Sequence, residues 1–483
     1  MVDSTDFRPK PRKARGFPDR RGAVLAQERD LIAKIAGVFE LWGFEPLDTP
    51  TLEYAEVLGK FLPDQERPNA GVFALEDDDA QWLALRYDLT APLARFAAEN
   101  FDALPKPYRR WAAGRVWRNE KPGPGRFREF TQCDADTIGA PGPAADAEMI
   151  ALGCAALSAA GLTPEQFTIK LSTRKLLDAV LLGIGIAPEQ EAQRLGVLRA
   201  IDKLDRLGPK AVAHLLGPGR KDESGDFTPG MGLKDPEIER VLAFVKAGRE
   251  SRSASLSALS RALPDNAQTQ AGLEELAAID QLLVALGVND HSARIDPSVV
   301  RGLEYYTGPV FEAELLSGGQ ALGSIGGGGR YDDLVSRFRG QPCPSTGISI
   351  GISRLLTGLA ALEGAGPRAG PVIVLVMDSM ASSMEMAVQL RANAIAAEAY
   401  LGGAGLRAQM KYADKRGAPL VVIEGEDERA RGIVTIKNLA LGSALSENIT
   451  DRKEWREARP AQREVPKGEL ITAVKAMLLE AKG

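Results

Sequence analysis

The densest set of residues able to do chemistry lies in Gly114–Asp136, GRVWRNEKPGPGRFREFTQCDAD. Lys121-Pro-Gly-Pro-Gly125 is a turn, so its two flanks are expected to pair as antiparallel strands. Side chains alternate between faces along a strand, which puts Arg126, Arg128, Phe130, Gln132, Asp134 and Asp136 on one face. Phe127, Thr131, Cys133 and Ala135 share the other, interrupted by Glu129. The first face is a polar row, cationic at one end and acidic at the other, with an aromatic ring between. Such a row suits a ligand with phosphates, a flat ring and a cationic or hydrogen-bonding group. From Phe130 to Asp136 it spans about 20 Å at ~3.3 Å per residue, roughly a nucleotide joined to an amino acid. A solvent-facing hairpin with surface ion pairs satisfies the same parity.

Four other segments carry comparable potential. Leu85-Arg-Tyr-Asp-Leu-Thr90 reads as a strand with Asp88 and Thr90 on one face, a carboxylate and a hydroxyl able to hold an α-ammonium group; an exposed polar edge fits it equally. In Val300–Gly308, Arg301 and Tyr306 have opposite parity, so a regular strand cannot aim both into one pocket, and Gly302 permits the bend that could. Gly326-Gly-Gly-Gly-Arg-Tyr-Asp332 lacks the Gly-Lys-Ser/Thr ending of a P-loop and suits either close backbone approach to a ligand or a turn. Gly347–Arg354 reads as a strand leading into a helix. An arginine in that first helical turn opposes the helix dipole and suits an anionic partner.

The elements that must position these residues can be read from pattern. Leu25–Leu41 has helical spacing and Gly43 closes it, after which Gly43–Pro50 reads as a strand. Residues 71–140 are strand-rich, Ala144–Ala160 is helical, and Phe167–Leu171 is another strand. Between about 175 and 290 lies a helical block with stripes at Leu198, Ile201, Leu204 and Leu207, stopped by Gly208-Pro209, and at Leu276, Ile279, Leu283 and Leu286. It offers no legible chemistry and is expected to be a packed insertion. Strand character returns at Arg294–Glu314, and glycines crowd from Gly318 to Gly329. Gly364–Gly370 reads as a linker. Beyond it, Val372–Val376 and Leu420–Ile423 are short apolar strands among helices, ending in a helix at Glu469–Glu480, which predicts a small α/β domain with a buried, largely parallel sheet.

Composition narrows the classes. The 483 residues are 44% hydrophobic and 26% charged, which excludes global disorder and collagen-like chains. Cys133, Cys154 and Cys343 form no CxxC pair and only His214 and His291 exist, so a disulfide scaffold, a metal centre and most histidine-dependent triads are not expected. No apolar run reaches the ~18–20 residues of a membrane span, and the N-terminus has no signal core, so a cytoplasmic chain with no membrane partner is expected. A net charge of −5 is not the footprint of a non-specific nucleic-acid binder. One basic stretch stands out, Arg8-Pro-Lys-Pro-Arg-Lys-Ala-Arg15 with Arg20-Arg21, and is expected to be a solvated, partly disordered tail.

Together these segments resemble the histidyl-tRNA synthetase family of class II aminoacyl-tRNA synthetases over nearly the whole chain. Pro50 sits where the first class II motif has its dimer-interface proline, Arg118–Asp136 resembles the second motif, and Gly347–Arg354 the third. Arg301-Gly-Leu-Glu-Tyr-Tyr and Gly327-Gly-Gly-Arg-Tyr-Asp resemble the two histidine signatures, and Leu406–Pro419 the anticodon-binding domain. The implied fold class is α/β: an α+β catalytic domain around an antiparallel sheet, in two parts (1–174 and 291–362), a helical insertion (175–290) and an anticodon-binding α/β domain (371–483). The implied activity is ATP-dependent ligation of L-histidine to its tRNA through an adenylate, with Mg²⁺ on the pyrophosphate end, by a homodimer.

Roles follow by position. The resemblance implies that Arg118 and Arg354 contact ATP phosphates, Arg126 lies near the γ-phosphate, and Glu120 and Phe130 hold the adenine. Asp88, Thr90 and Gln132 would take the α-ammonium, Asp136 and Tyr306 would bracket the imidazole, and Tyr305 and Tyr331 complete the histidine pocket. Arg301 would serve the α-phosphate and the substrate carboxylate, as the catalytic cation with Arg118. Acceptor contacts are implied at Gly123 and Arg128, with Gly123 standing where the usual bacterial member has a glutamine that reads an extra 5′ guanosine. Glu304 replaces the commoner aspartate, and Asp88-Leu-Thr90 and Gln132–Asp136 are closer to the eukaryotic type. The competing reading is a silent paralogue that regulates ATP phosphoribosyltransferase; such paralogues lack the C-terminal domain and parts of the signatures, and this chain keeps both.

Overall fold

Leu31, Ile35 and Phe39 recur at helical spacing and are buried along one side of α1 (Gly22–Leu41), whose end is marked by Gly43 at φ 83°. The computed structural model describes residues 10–61, 71–123, 127–221, 225–302, 306–317, 320–363, 369–439, 441 and 461–480. The chain divides into two compact units, one mainly Glu28–Ala365 and one mainly Gly366–Gly483.

The first unit is built on an eight-stranded sheet. Its strands are β1 (Glu45–Pro46), then, after the small three-stranded sheet of β2 (Leu52–Tyr54), β3 (Ala74–Glu76) and β4 (Trp82–Leu85), come β5 (Tyr108–Trp117), β6 (Glu129–Ile138) and β7 (Phe167–Thr173). A separate hairpin of β8 (Gly219–Lys221) and β9 (Phe227–Pro229) precedes β10 (Ala293–Ile295), β11 (Pro309–Ser317), β12 (Gln320–Arg330) and β13 (Ser345–Gly351). The order is β1-β5-β6-β13-β12-β11-β7-β10: six antiparallel strands with one parallel strand at each edge. β5 and β6 form the expected hairpin, with Gly114 opposite Gln132 and Arg110 opposite Asp136. On its other side β6 pairs with β13, Gly347 facing Asp136 and Ser349 facing Asp134.

Several expectations change here. Thr90 is not on a strand: β4 ends at Leu85, and Thr90 opens the helix α2 (Thr90–Glu99), whose Leu93, Ala94 and Ala97 are buried. Pro92 is no obstacle, since the first helical turn needs none of its own N–H groups for intrahelical bonds. The glycine run 326–329 is not a turn; it lies inside β12, between β11 and β13. The stripe from Leu198 to Leu207 is split between α5 and α6, below, by a break at Asp202-Lys203, and Gly208 at φ 74° kinks the second helix before Pro209. Residues 364–368 of the expected linker, Gly318-Gly319 and Arg8-Pro9 of the basic stretch lie outside the described residues.

The helical segment follows α3 (Pro143–Ala159) and comprises α4 (Arg174–Gly183), α5 (Glu191–Ile201), α6 (Leu204–Leu216), α7 (Asp235–Val245), α8 (Arg252–Ala262) and α9 (Ala267–Ala285). Val197, Leu216, Val241, Leu259 and Leu283 from these helices join Ile150, Ile169, Phe311 and Ile348 in one continuous apolar cluster with the sheet. At roughly 25 cal/mol per Å² of apolar surface, this shared burial ties the block to the sheet. The unit closes with α10 (Asp332–Arg339) and α11 (Ile352–Glu363).

The second unit has its own core, with Val374, Leu390, Val422, Ile436, Val474 and Met477 in one cluster. Its sheet is mixed rather than largely parallel. β14 (Val372–Val374) pairs in parallel with β15 (Ala397–Ala399) and β16 (Leu420–Ile423), then β17 (Ile433–Asn438) and β18 (Gln462–Pro466) add antiparallel strands.

Candidate active site

A cavity of about 590 Å³ lies in the first unit, and the polar row of β6 supplies Phe130, Gln132 and Asp134 to it. Alternation along β6 is what aims these three one way, while Cys133 and Ala135 turn to the fully buried opposite side. β12 contributes Gly326–Gly328, a stretch with no side chains, and β13 contributes Ser349. A Cβ on Gly328 would stand 2.1 Å from the Gly347 carbonyl oxygen, so glycine there is what lets β12 and β13 close up.

Besides Arg199 of α5, three arginines reach the cavity from separate elements. Arg118 follows β5; its Nε donates to the Tyr87 carbonyl at 3.2 Å, and its guanidinium stands 5.1 Å from the Phe130 ring. Arg354 is the third residue of α11, and its Nη1 donates to the Ser324 carbonyl at 3.2 Å. Arg301 forms an ion pair with Glu312 of β11. Arg301 and Tyr306 both line the cavity because the chain bends at Gly302, φ 59°, where a Cβ would stand 2.1 Å from the Tyr306 ring. Only glycine meets both conditions.

Asp88, Gln132 and Asp134 form a polar, partly acidic stretch of the same cavity wall. Asp88 Oδ1 accepts from the backbone N–H groups of Thr90 and Ala91 at 3.2 and 2.9 Å, which fixes its carboxylate at the start of α2. Burial still raises its pKa, against the pull of those N–H groups and of Arg118. Burial, reinforced by the Asp136 carboxylate, pushes Asp134 up to about 8, although Arg110 and the Ser349 hydroxyl oppose it. Gln132 Nε2 donates to Ser349 Oγ, leaving Gln132 Oε1 buried and without a hydrogen-bond partner among the described residues. The wall therefore offers acceptors to a cationic or N–H-bearing ligand.

Asp136 and Tyr331 are buried and lie behind this lining. The Tyr331 hydroxyl donates to Asp136 Oδ1, and Arg110 Nη2 pairs with Asp136 Oδ2 at 2.9 Å. Burial raises the Asp136 pKa, with Arg110 and Tyr331 holding it down in part. Burial also raises the phenols of Tyr306 and Tyr331. The structure thus brings Asp88, Thr90, Arg118, Glu120, Phe130, Gln132, Arg301, Tyr306 and Arg354 to one cavity. Gly123 and Arg128 are outside its lining: Gly123 is exposed, and Arg128 Nε donates to the Glu120 carbonyl at 3.0 Å. Arg126, Tyr305 and Glu304 lie outside the described residues.

Sequence reasoning assigned no role to three lining residues or groups. Asp134 shares the parity of Gln132 and was visible in that row. Ser349 shares one face of β13 with Gly347 and Gly351. The contribution of α5, Leu195 and Arg199 with the adjoining Asp202, had no signal at all.

The family model described as "Histidyl-tRNA synthetase" matches residues 16–355, and that described as "Anticodon binding domain" matches 371–477. A curated "Histidine--tRNA ligase" of Caulobacter vibrioides is 54% identical over 487 residues, covering 98% of each chain. The crystal structure of histidyl-tRNA synthetase from Nostoc sp. PCC 7120 superposes with a TM-score of 0.73 at 29% identity, covering 97% of this chain and 100% of that one. An ATP phosphoribosyltransferase regulatory subunit/histidyl-tRNA synthetase from Bacillus halodurans C superposes at 0.65 with 25% identity, over 84% of this chain and 97% of that one.

Proposed function

We propose, since the chain belongs to the histidyl-tRNA synthetase family and is an aminoacyl-tRNA ligase that joins histidine to tRNA, that the cavity on β6 and β13 is where histidine is activated and transferred. One observation carries this reading: Arg118, Arg301 and Arg354 converge on a cavity that Asp88, Gln132 and Asp134 also line. ATP and histidine carboxylate are both anions, whereas the amino acid's ammonium and ring N–H groups need acceptors. The one cavity supplies both kinds of partner.

Adenylate formation joins a histidine carboxylate oxygen to the α-phosphorus and expels pyrophosphate. Arg301 sits at the α-phosphate and the attacking carboxylate, Arg118 and Arg354 take phosphate charge, and Phe130 with Glu120 holds the adenine. Arg126 and Tyr305 join this set by resemblance. Asp88, Thr90 and Gln132 hold the α-ammonium. Tyr306 contacts the imidazole, with Asp134 at the surface of that pocket and the Asp136–Tyr331–Arg110 cluster fixing the wall behind it. In the second step the terminal ribose hydroxyl of tRNA attacks the activated carbonyl, forming the ester and releasing AMP. Neither step needs a protein nucleophile, and the lining contains no cysteine or histidine. Catalysis is positioning plus cationic stabilisation of phosphoryl charge.

Among the described residues no group of three or more His, Cys, Asp or Glu could cage a metal ion. By the family resemblance, magnesium belongs on the pyrophosphate end of the nucleotide substrate. Residues 371–483 read the anticodon, and the enzyme works in the cytoplasm as a homodimer with Pro50, exposed on this protomer, at the interface. No helix of the described residues is long and apolar enough to cross a membrane. The regulatory reading loses support from the anticodon-binding match at 371–477. The test is histidine-dependent exchange of pyrophosphate into ATP, followed by charging of histidine tRNA. A protein that exchanges with no amino acid, or with another amino acid in preference, would defeat the assignment.

A further inference from the structure

The basic stretch near the N-terminus is not a free tail over its described part. Ala14–Phe17 is a tight turn, the Phe17 N–H donating to the Ala14 carbonyl at 3.2 Å, with Gly16 at φ 88° in the third position that favours glycine. The turn is clamped against the β5–β6 hairpin. The Arg128 N–H donates to the Gly16 carbonyl at 2.9 Å, and a Cβ on Gly16 would stand 2.9 Å from Arg128 Cγ. Phe17 packs edge-on against Phe73 with ring centroids 5.6 Å apart, and the Arg128 guanidinium stands 5.9 Å from the same ring. Arg128 in turn donates to the carbonyl of Glu120, a residue of the cavity lining. The anchor is therefore one side chain away from the active-site rim.

From this anchor the chain presents Lys10, Arg12, Lys13 and Arg15, all exposed, within six residues of Gly16. Lys13 pairs with Asp19 at 3.5 Å on the surface, a contact worth little in water. Six residues reach about 20 Å when extended. Four cations within six residues of this anchor contrast with the chain's net charge of −5.

We propose that Lys10–Arg15 is an arm that grips backbone phosphates of the tRNA acceptor stem as its 3′ end enters the cavity. This rests on the reading that the cavity receives that end. Geometry selects the partner: the polyanion that must come to this rim is the tRNA, and phosphate contacts position a nucleic acid without reading its sequence. The Arg128 clamp holds the C-terminal end of the arm beside the hairpin.

The test compares wild type with the triple variant Arg12→Ala/Lys13→Ala/Arg15→Ala and with the charge-keeping Arg12→Lys/Arg15→Lys. Each is assayed for histidine-dependent pyrophosphate exchange, for tRNA binding, and for charging between 50 and 200 mM salt. Exchange is expected to stay within twofold of wild type in both. In the triple variant, charging kcat/KM and tRNA affinity are expected to fall about tenfold at the lower salt. The log–log salt slope of binding should become shallower by about two, since each lost phosphate contact removes ~0.7–0.9. The lysine variant should retain most of the affinity. An unchanged slope and affinity would overturn the proposal, as would a parallel loss of exchange, which would make the segment a prop of the active site. Wild-type enzyme that exchanges pyrophosphate and binds tRNA but never charges it would instead overturn the reading of the cavity.

Discussion

Arg301 shows how one guanidinium is prepared for a transient charge. Glu312 holds it from β11 while 37% of the side chain stays open to solvent and to the cavity, so it is fixed but not spent. Replacing it by alanine is expected to lower pyrophosphate exchange by ~10²–10³, the usual effect of removing a pre-aimed donor, with an unchanged melting curve. Near-normal exchange would remove Arg301 from the chemistry. Asp134 gives a different kind of check. Its folded pKa is about 8 against an ordinary carboxylate value of 3.8. Between those values the folded chain keeps a proton that the unfolded chain has released, so this group makes stability fall as pH rises from about 4 to about 8. Below the window both states are protonated; above it both are ionised. Asp134→Asn removes that loss, so its melting temperature relative to wild type is expected to gain on going from pH 5 to pH 8. An advantage that is flat with pH would mean Asp134 is already ionised in the fold.

At the scale of elements, the β5–β6 hairpin was the most legible part of the chain because everything that defines it is local. A Pro-Gly turn and strict alternation were enough to put Phe130, Gln132 and Asp134 on the side that now lines the cavity. Asp136 has the same parity yet sits behind, held by Arg110 across the hairpin and by Tyr331, which lies 195 positions away and which no short-range pattern reveals. Asp88 and Thr90 were paired correctly but as a strand; alternation over six residues cannot distinguish a strand from the entry to a helix. The turn itself carries a test. Gly123 is exposed with open space around a would-be Cβ, so no side chain there can meet a base. Charging of transcripts with and without an extra 5′ guanosine is expected to differ by less than tenfold. A hundredfold loss, about 2.7 kcal/mol, on removing that nucleotide would show that another group reads it.

For the whole molecule, the division of apolar cores matters most. The main cluster runs from Leu31 to Leu355, with Leu356, Leu359 and Leu362 against it, and takes in both the sheet and the helices of 175–290. That the block is no separate body was invisible beforehand: its leucine stripes say that something is covered, not by what. The C-terminal cluster begins at Val372 and ends at Met477. Ending the chain near Gly370 is accordingly expected to leave histidine activation within about tenfold of wild type and to cut tRNA charging by a hundred or more. Exchange assays on the shortened chain decide it, and loss of activation would mean that the last domain supports the active site.

The pairing of β6 with β13 has a consequence for how the chain is made. Gln132 and Ser349 are 217 positions apart, so a ribosome must extrude the whole helical block before the acidic strand acquires its second neighbour. Until then β6 is the outer edge of a hairpin, with Asp134 and Asp136 in water and ionised. Arrival of β13 buries both carboxylates and raises their affinity for protons. Completion of the sheet is thus coupled to proton uptake, and a nascent chain held just short of Ser345 carries an unpaired strand kept from sticking to other edges by its own negative charge.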